Sequence, residues 1–432
     1  MSNWTTITLA DTIYSSDSGE WGNDPNGYNE VWVLRSTNFT NSGKVDYSKV
    51  IKRSVPPSKN KLFLNKGDII LEKSGGSPAQ PVGRVVYVDN LAISPAICSN
   101  FLQKLSVKGI YDQKFIFYVF FNLYRSGASR KYQQQTTGII NFKLNEYLRE
   151  STVIPCSITQ QRKIAKILTT VENQIEKTEE LIAKYESVKH GMMQDLFTRG
   201  VDENGKLRPK REDAPELYKK TELGWIPREW EVEKFGNCGR WQGGITPSKA
   251  QKSFWENGTY LWLSPKDITS SILKESEDHL TDNALQNNSI QLYPPESIII
   301  VFRSSILRRT FPVAKCIRPF TINQDLKTLI LFDNFNQNFV FNFLKHSEQL
   351  ILRKAVKSGT TVESIDGKTF FNILIPKPNL NEQIQIANIL VAFDKYHNEE
   401  HLTLAKLKNL KTALMQDLLT GKVEVTPDPE DQ

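Results

Sequence analysis

A stretch of this 432-residue chain occurs twice, and any fold proposed for it has to be a doubled one. Ile164-Ala165-Lys166-Ile167-Leu168 returns as Ile386-Ala387-Asn388-Ile389-Leu390, and Met193-Gln194-Asp195-Leu196 returns as Met415-Gln416-Asp417-Leu418, both displaced by 222 residues. About 30 residues are thus copied without insertion or deletion, which implies a rigid helix, because loops rarely keep length. Each copy is preceded by Ile-Pro (Ile154-Pro155, Ile375-Pro376) and a glutamine (Gln161, Gln383). Proline disfavours helix in the residue before it, so each Ile-Pro marks where a strand or loop hands over to the helix.

Taken at alternating spacings of four and three, the first copy reads Ile164, Leu168, Val171, Ile175, Thr178, Ile182, Tyr185, Lys189, Met192, Leu196. The second reads Ile386, Leu390, Phe393, His397, Glu400, Leu404, Leu407, Lys411, Leu414, Leu418. Eight and seven of the ten are apolar, a mean spacing of 3.5 that marks a coiled-coil seam. Leu168, Ile175, Ile182, Leu390, Leu404 and Leu414 are expected in that seam, with the two helices paired against each other over about 50–60 Å at ~1.5 Å per residue. The seam lysines, Lys189 and Lys411, either let their stems reach water or fix the register of the pair.

Upstream the likeness loosens. Val33 to Phe39 lines up with Trp262 to Ile268, Lys73-Ser74 with Arg303-Ser304, Pro81-Val82-Gly83-Arg84 with Pro312-Val313-Ala314-Lys315, and Thr136-Thr137 with Thr360-Thr361, at offsets drifting from 229 to 231 and then 224. The expected organisation is a globular unit over 1–155, a helix over 156–200, a solvated linker over 201–228, a second globular unit over 229–376, a helix over 377–420 and a flexible tail over 421–432. The fold class is α+β: two α/β units joined by two long helices that pair as an antiparallel coiled coil about an approximate twofold axis. Such a doubled arrangement suits duplex DNA, whose strands are also related by twofold axes.

With 39% hydrophobic and 24% charged residues the chain is too apolar for wholesale disorder. Lacking any run of about 18 apolar residues and any signal-like N-terminus, it is expected to be cytoplasmic, with no membrane partner. The four cysteines, Cys98, Cys156, Cys238 and Cys316, stand at least 58 residues apart, which argues for reduced, mostly buried thiols. Of five histidines only His397 and His401 are close, and no metal is expected there. The net charge of +7 permits a nucleic-acid partner without requiring one.

Catalytic motifs fail on inspection. Gly200-x-x-x-x-Gly205-Lys206 has phosphate-loop spacing, but Leu207 stands where a magnesium-binding Ser or Thr is needed. No G-x-G occurs among 23 glycines, and neither Pro-Pro pair has the Asn or Asp before it and aromatic residue after it of an amino-methyltransferase. No catalytic residue is assigned. What remains are polar and basic loops at matching places in both units. Arg35, Ser36, Lys73, Ser74, Arg84, Lys131 and Gln133 in the first, and Thr246, Ser248, Lys266, Arg303, Ser304, Lys354 and Thr361 in the second, are the candidate DNA contacts. Arg and Lys suit phosphate or guanine, and Gln suits adenine edges.

At these residues the chain resembles the specificity subunit of type I restriction-modification systems. The likeness rests on Leu223-Gly224-Trp225-Ile226-Pro227-Arg228-Glu229-Trp230, Gly243-Gly244-Ile245-Thr246-Pro247-Ser248, Phe254-Trp255-Glu256-Asn257-Gly258, Asn323-Gln324-Asp325 and both helical repeats. The first unit departs from it, with Ser18-Gly19-Glu20-Trp21-Gly22-Asn23 in place of Gly-Gly-x-Thr-Pro-Ser. The resemblance implies two target recognition domains, each reading half of a split double-stranded DNA site. It also implies two modification subunits that hold S-adenosylmethionine and flip out the target adenine, and restriction subunits that use ATP and Mg²⁺. This chain itself would bind no cofactor. Two alternatives stay open from sequence: a specificity subunit of a fused type II methyltransferase-nuclease, and a bivalent coiled-coil adaptor between proteins.

Overall fold

The computed structural model describes residues 3–77, 80–90, 92–136, 138–359 and 362–427. They form two compact units, one of Met1–Glu179 with Leu402–Gln432, the other of Glu180–His401.

In the first unit, Ile69–Glu72 is the heart of a four-stranded sheet ordered Ile13–Ser18, Leu102–Val107, Ile69–Glu72, Val85–Tyr87, antiparallel throughout. Its Ile69-Ile70-Leu71 run is wholly buried because both faces are covered, and a strand buried on both sides carries no polar alternation. The helix Gln113–Arg125 supplies Phe115, Ile116, Phe117 and Phe120 to the same core. A three-stranded sheet, Ile51–Ser54, Glu30–Leu34, Ala96–Cys98, pairs its last two strands in parallel. Trp4–Thr8 pairs with Ser151–Pro155, the strand that runs into the central helix Ile158–Thr198.

The second unit repeats this plan. Gly239–Gly243, Leu326–Leu331, Ile298–Val301 and Val313–Cys316 stand in the same order, extended by Ile272–Leu273. Asp278–Leu280, Tyr260–Leu263 and Phe320–Ile322 reproduce the small sheet, again with one parallel pair. Glu231–Lys234 pairs with Leu374–Lys377 ahead of the C-terminal helix Leu380–Leu418.

The copied helix sequence has a tertiary cause. In the first unit the core takes Ile164, Ala165 and Leu168 from the start of the central helix and Met415 and Leu418 from the end of the C-terminal helix. In the second unit it takes Ile386, Ala387 and Leu390 with Met193 and Leu196, each displaced from its counterpart by 222. The ends of both helices are therefore core residues.

Within each unit the helices run antiparallel: Lys411 meets Glu172 at 2.7 Å and Lys408 meets Glu179 at 2.7 Å in the first, and Tyr185 packs edge-on against Phe393 in the second. The seam expected from spacing is the least exposed stripe: Leu168, Ile182 and Leu390 are buried, and Ile175, Leu404 and Leu414 half-buried. Lys411 reaches Glu172, and Lys189 reaches Asp394, acids that also differ by 222. The lysines therefore answer a carboxylate on the facing helix rather than simply extending into water.

Gln161 and Gln383 are clamps. The Gln161 Oε1 accepts from the backbone N of Asp112, the N-cap of Gln113–Arg125, while its Nε2 donates to the Pro155 carbonyl. Gln383 does the same for Asn336, N-cap of Gln337–His346, and the Pro378 carbonyl.

The stretch 201–228, expected as solvated linker, is folded. Tyr218–Thr221 and Gly224–Pro227 form a hairpin, and Val201 is buried. Glu382, 3% exposed, accepts from the Val201 N–H and the Trp230 Nε1 at 3.0 Å each and pairs with Arg208. A buried carboxylate needs this many donors, and the charge run supplies one. Residues 428–432 of the expected tail lie outside the described residues, whereas within its described part the Val425 carbonyl accepts from Gln160 at 3.4 Å. Cys98, Cys238 and Cys316 are buried and Cys156 exposed. No helix among the described residues is long and apolar enough to cross a membrane.

Candidate nucleic-acid interface

In both units the chain leaves the central strand into a basic-polar dipeptide against which a hairpin packs. Ser74–Gly75 pairs with Ile139–Phe142, which pairs with Gln133–Thr136. In the second unit Arg303 bridges to Ser364, and Val356–Lys357 pairs with Ser364–Ile365. Lys73-Ser74 and Arg303-Ser304, matched on sequence, thus occupy the same fold position. Of the two Thr pairs matched on sequence, Thr137, Thr360 and the candidate contact Thr361 lie outside the described residues.

The second unit gathers most of its candidates. Thr246, exposed, donates to the Gln324 Oε1 at 2.5 Å, so the 243–248 loop and the turn 323–325 form one surface. Gly244 makes this possible, since a Cβ there would meet the Ile322 carbonyl oxygen at 1.7 Å. Ser248, exposed, gives its carbonyl to the Trp255 indole at 3.1 Å. Lys266 lies between Glu277 at 3.0 Å and Asp278 at 3.2 Å, and hydrogen bonding to Glu277 raises its pKa. Arg303, 62% exposed at its side chain, sits 3.8 Å from Asp325; Ser304 caps the turn Ser305–Arg308. Lys354 is exposed at the end of the helix Glu348–Ala355.

The first unit holds its candidates more tightly. Lys73, half-buried, donates to Ser18 Oγ at 2.5 Å and Gln103 Oε1 at 3.2 Å, and desolvation lowers its pKa. Ser74 Oγ meets Asn141 Oδ1 at 2.6 Å. Arg35 donates to the Lys49 carbonyl at 2.8 Å, and its N–H to Asn38 Oδ1 at 2.8 Å closes the turn Ser36–Asn38. Ser264 and Asp267 close the matching turn the same way, also at 2.8 Å. Lys131 is exposed and pairs with Glu150 at 2.9 Å; Gln133 is half-buried opposite Phe142.

Arg84 is the exception and leaves the set of candidate contacts. It is 9% exposed and bidentate on Glu72, at 2.8 and 2.9 Å, with a third bond to the Ser36 carbonyl. Its repeat counterpart, Lys315, is buried on Glu296 and Asn338. Both side chains are buried, where a charge survives only if fully paired. The sequence match was real, but it marked a core ion pair.

Three basic residues left outside that set join the same surface. Lys249 lies 5.2 and 5.5 Å from the ring centroids of Trp255 and Trp262 and 3.7 Å from Asp278; Lys327 lies over Phe302; Lys357 pairs with Asp366 at 3.1 Å. Aromatic residues near Lys249 and Lys327 in the fold, not in the chain, are the signal for those two, which a linear reading cannot see. Arg308 pairs with Glu363, whose carboxyl it holds below the ordinary range. Most loop cations therefore rest on an acid, and binding a phosphate means exchanging one anion for another.

A family model described as the type I restriction modification DNA specificity domain matches residues 1–186 and 227–409. A type I restriction enzyme specificity subunit of Escherichia coli is 33% identical over 255 residues, 59% of this chain and 58% of that protein. Two from Methanocaldococcus jannaschii are 30% identical over 203 residues, covering 44% of this chain and 46% of theirs, and 25% identical over 382 residues, covering 87% and 84%. The first two alignments thus span about half of those relatives' length. Among solved structures, the S subunit of the type I restriction-modification system from M. genitalium superposes with a TM-score of 0.56 at 15% identity, over 98% of this chain and 97% of that one. A chain from a type I restriction-modification complex does so with a TM-score of 0.57 at 16% identity, over 98% and 99%. These likenesses concern the fold.

Proposed function

Since the chain belongs to the type I restriction modification DNA specificity family, we propose that it is the DNA-reading subunit of a type I restriction-modification complex, each unit taking one half of a split target. One observation carries the reading: a single fold occurs twice, and each copy places a basic-polar dipeptide and its hairpin after the central strand. Two separate surfaces of one design suit two separate patches of duplex.

Phosphate contacts from exposed Lys354, Arg303 and Lys249 would position the duplex, and Thr246, Gln324 and Gln133 offer hydrogen-bonding groups of the kind that read base edges. Methylation of adenine with S-adenosylmethionine, and ATP- and Mg²⁺-dependent restriction, are assigned in this proposal to modification and restriction subunits. The role of this chain is to bind and orient DNA for them.

The test is a domain exchange. Replacing residues 229–376 with those of a relative, in the complete system, is expected to change one half of the methylated sequence and leave the other intact. A change in both halves would sink the proposal.

A further inference from the structure

The seam between the long helices is interrupted inside the second unit by His397 and Glu400. His397 and His401 are four residues apart, so their rings rise from one face of the C-terminal helix, with centroids 4.5 Å apart. Glu186 comes from the central helix opposite, its Oε1 3.5 Å from the His397 Nε2. That separation exceeds an ordinary N–H···O hydrogen bond, and the buried Nε2 has no hydrogen-bond partner. A buried ring nitrogen facing a carboxylate without bonding to it leaves room for something between them.

We infer that Glu186, His397 and His401 form a site for one zinc-class divalent cation that ties the two helices together inside the second unit. The three ligand atoms lie within 4.8 Å of one another. Bonds of about 2.0–2.2 Å in a tetrahedral site put ligands roughly 3.3–3.6 Å apart. The Glu186–His397 separation already meets this. Glu186 and His401 are both exposed, so their side chains can turn to close the remaining distance. Two imidazoles and one carboxylate are the donors of Zn²⁺, Co²⁺ or Ni²⁺ rather than of the all-oxygen ions Ca²⁺ and Mg²⁺. Three protein ligands leave a fourth position to water. The nearest seam cation, Lys189, is engaged by Asp394 and so opposes the ion little.

The sequence shows only half of this arrangement. A His-x-x-x-His pair on a charged helix is commonplace; the antiparallel register supplies Glu186. A cation there would replace the missing apolar contact at this level with a cross-link.

The experiment titrates the full-length chain with Co²⁺, reading the visible absorption of tetrahedral cobalt, with Zn²⁺ as competitor. One Co²⁺ per chain, displaced by Zn²⁺, is expected. His401→Ala, at an exposed position, should weaken binding at least tenfold while leaving the helical circular dichroism of the metal-free protein unchanged. Glu186→Gln should also weaken it, and should abolish any rise in melting temperature on adding Zn²⁺. His190→Ala, at a residue lining the same cavity as Glu186 and His397, should bind as the parent does. Saturable binding that survives His397→Ala/His401→Ala, or no saturable uptake at millimolar Co²⁺, would overturn the assignment.

Discussion

A lysine in an apolar helix seam costs free energy unless a charge meets it, and the two seam lysines are met unequally. Lys411 and Glu172 are 13% and 6% exposed at their side chains, and Glu172 also accepts from the Tyr118 hydroxyl at 2.7 Å. Lys189 and Asp394 are 19% and 38% exposed. Lys411→Met strands a buried carboxylate and should cost about 3 kcal/mol by urea denaturation, with much of it recovered in Lys411→Met/Glu172→Leu; Lys189→Met should cost under about 1 kcal/mol. Equal losses would mean that burial does not set the difference. The same logic separates Arg84 from the loop cations. Arg84→Met, which abandons Glu72 at 1% exposure, should lower stability by about 3–5 kcal/mol. Lys354→Ala should leave stability unchanged and reduce the slope of log affinity against log salt by about 0.9 if it meets one phosphate. The hairpin 356–365 carries a pH dependence of definite sign. Hydrogen bonds from Thr369 and Lys357 lower the pKa of Asp366, and one from Arg308 lowers that of Glu363. A depressed folded pKa means stability is present above the ordinary 3.8 and 4.5 and lost as pH falls through the folded values. Amide exchange in the hairpin should therefore hold steady from pH 7 to 5, apart from the intrinsic rate, and its protection should fall only as the pH drops below those ordinary values.

At the scale of elements, the two glutamine clamps explain why the start of each long helix is repeated so closely. Gln161 and Gln383 each satisfy the first free N–H of a core helix and a carbonyl before their own helix. Gln383→Leu, which is nearly isosteric but bonds nothing, should destabilise the second unit by about 1–3 kcal/mol, read as an earlier melting step with the first unit unaffected. This coupling was not legible in the sequence. The glutamine stood out by position, but its partner, the Asn336 N–H, is 47 residues away. The seam itself was legible residue by residue, because a helix converts spacing directly into direction.

For the whole molecule, the central helix is 41 residues and the C-terminal helix 39, each contributing its two ends to different units. If these helices set the gap between half-sites, adding one heptad to each should lengthen the tolerated gap while leaving the bases read unchanged; an unaltered gap would remove the ruler from the proposal. Separate modification and restriction polypeptides should co-purify with the chain, which distinguishes a type I assembly from a fused methyltransferase-nuclease.

Duplication, helix register and the places where loops recur were all determined by the sequence, because a repeat is a comparison of the chain with itself and a heptad is local geometry. Tertiary structure decided which recurring basic residues face solvent. Arg84 and Arg303 were both basic residues recurring at matched places of the repeat, yet one closes on Glu72 in the core and the other stands 62% exposed at its side chain. It also decided that the charged stretch 201–228 folds around Glu382, and that Glu186 faces His397. In each case the deciding partner lies more than ten residues away, and whether a charge is paired or free depends on what burial brings beside it, which spacing along the chain does not encode.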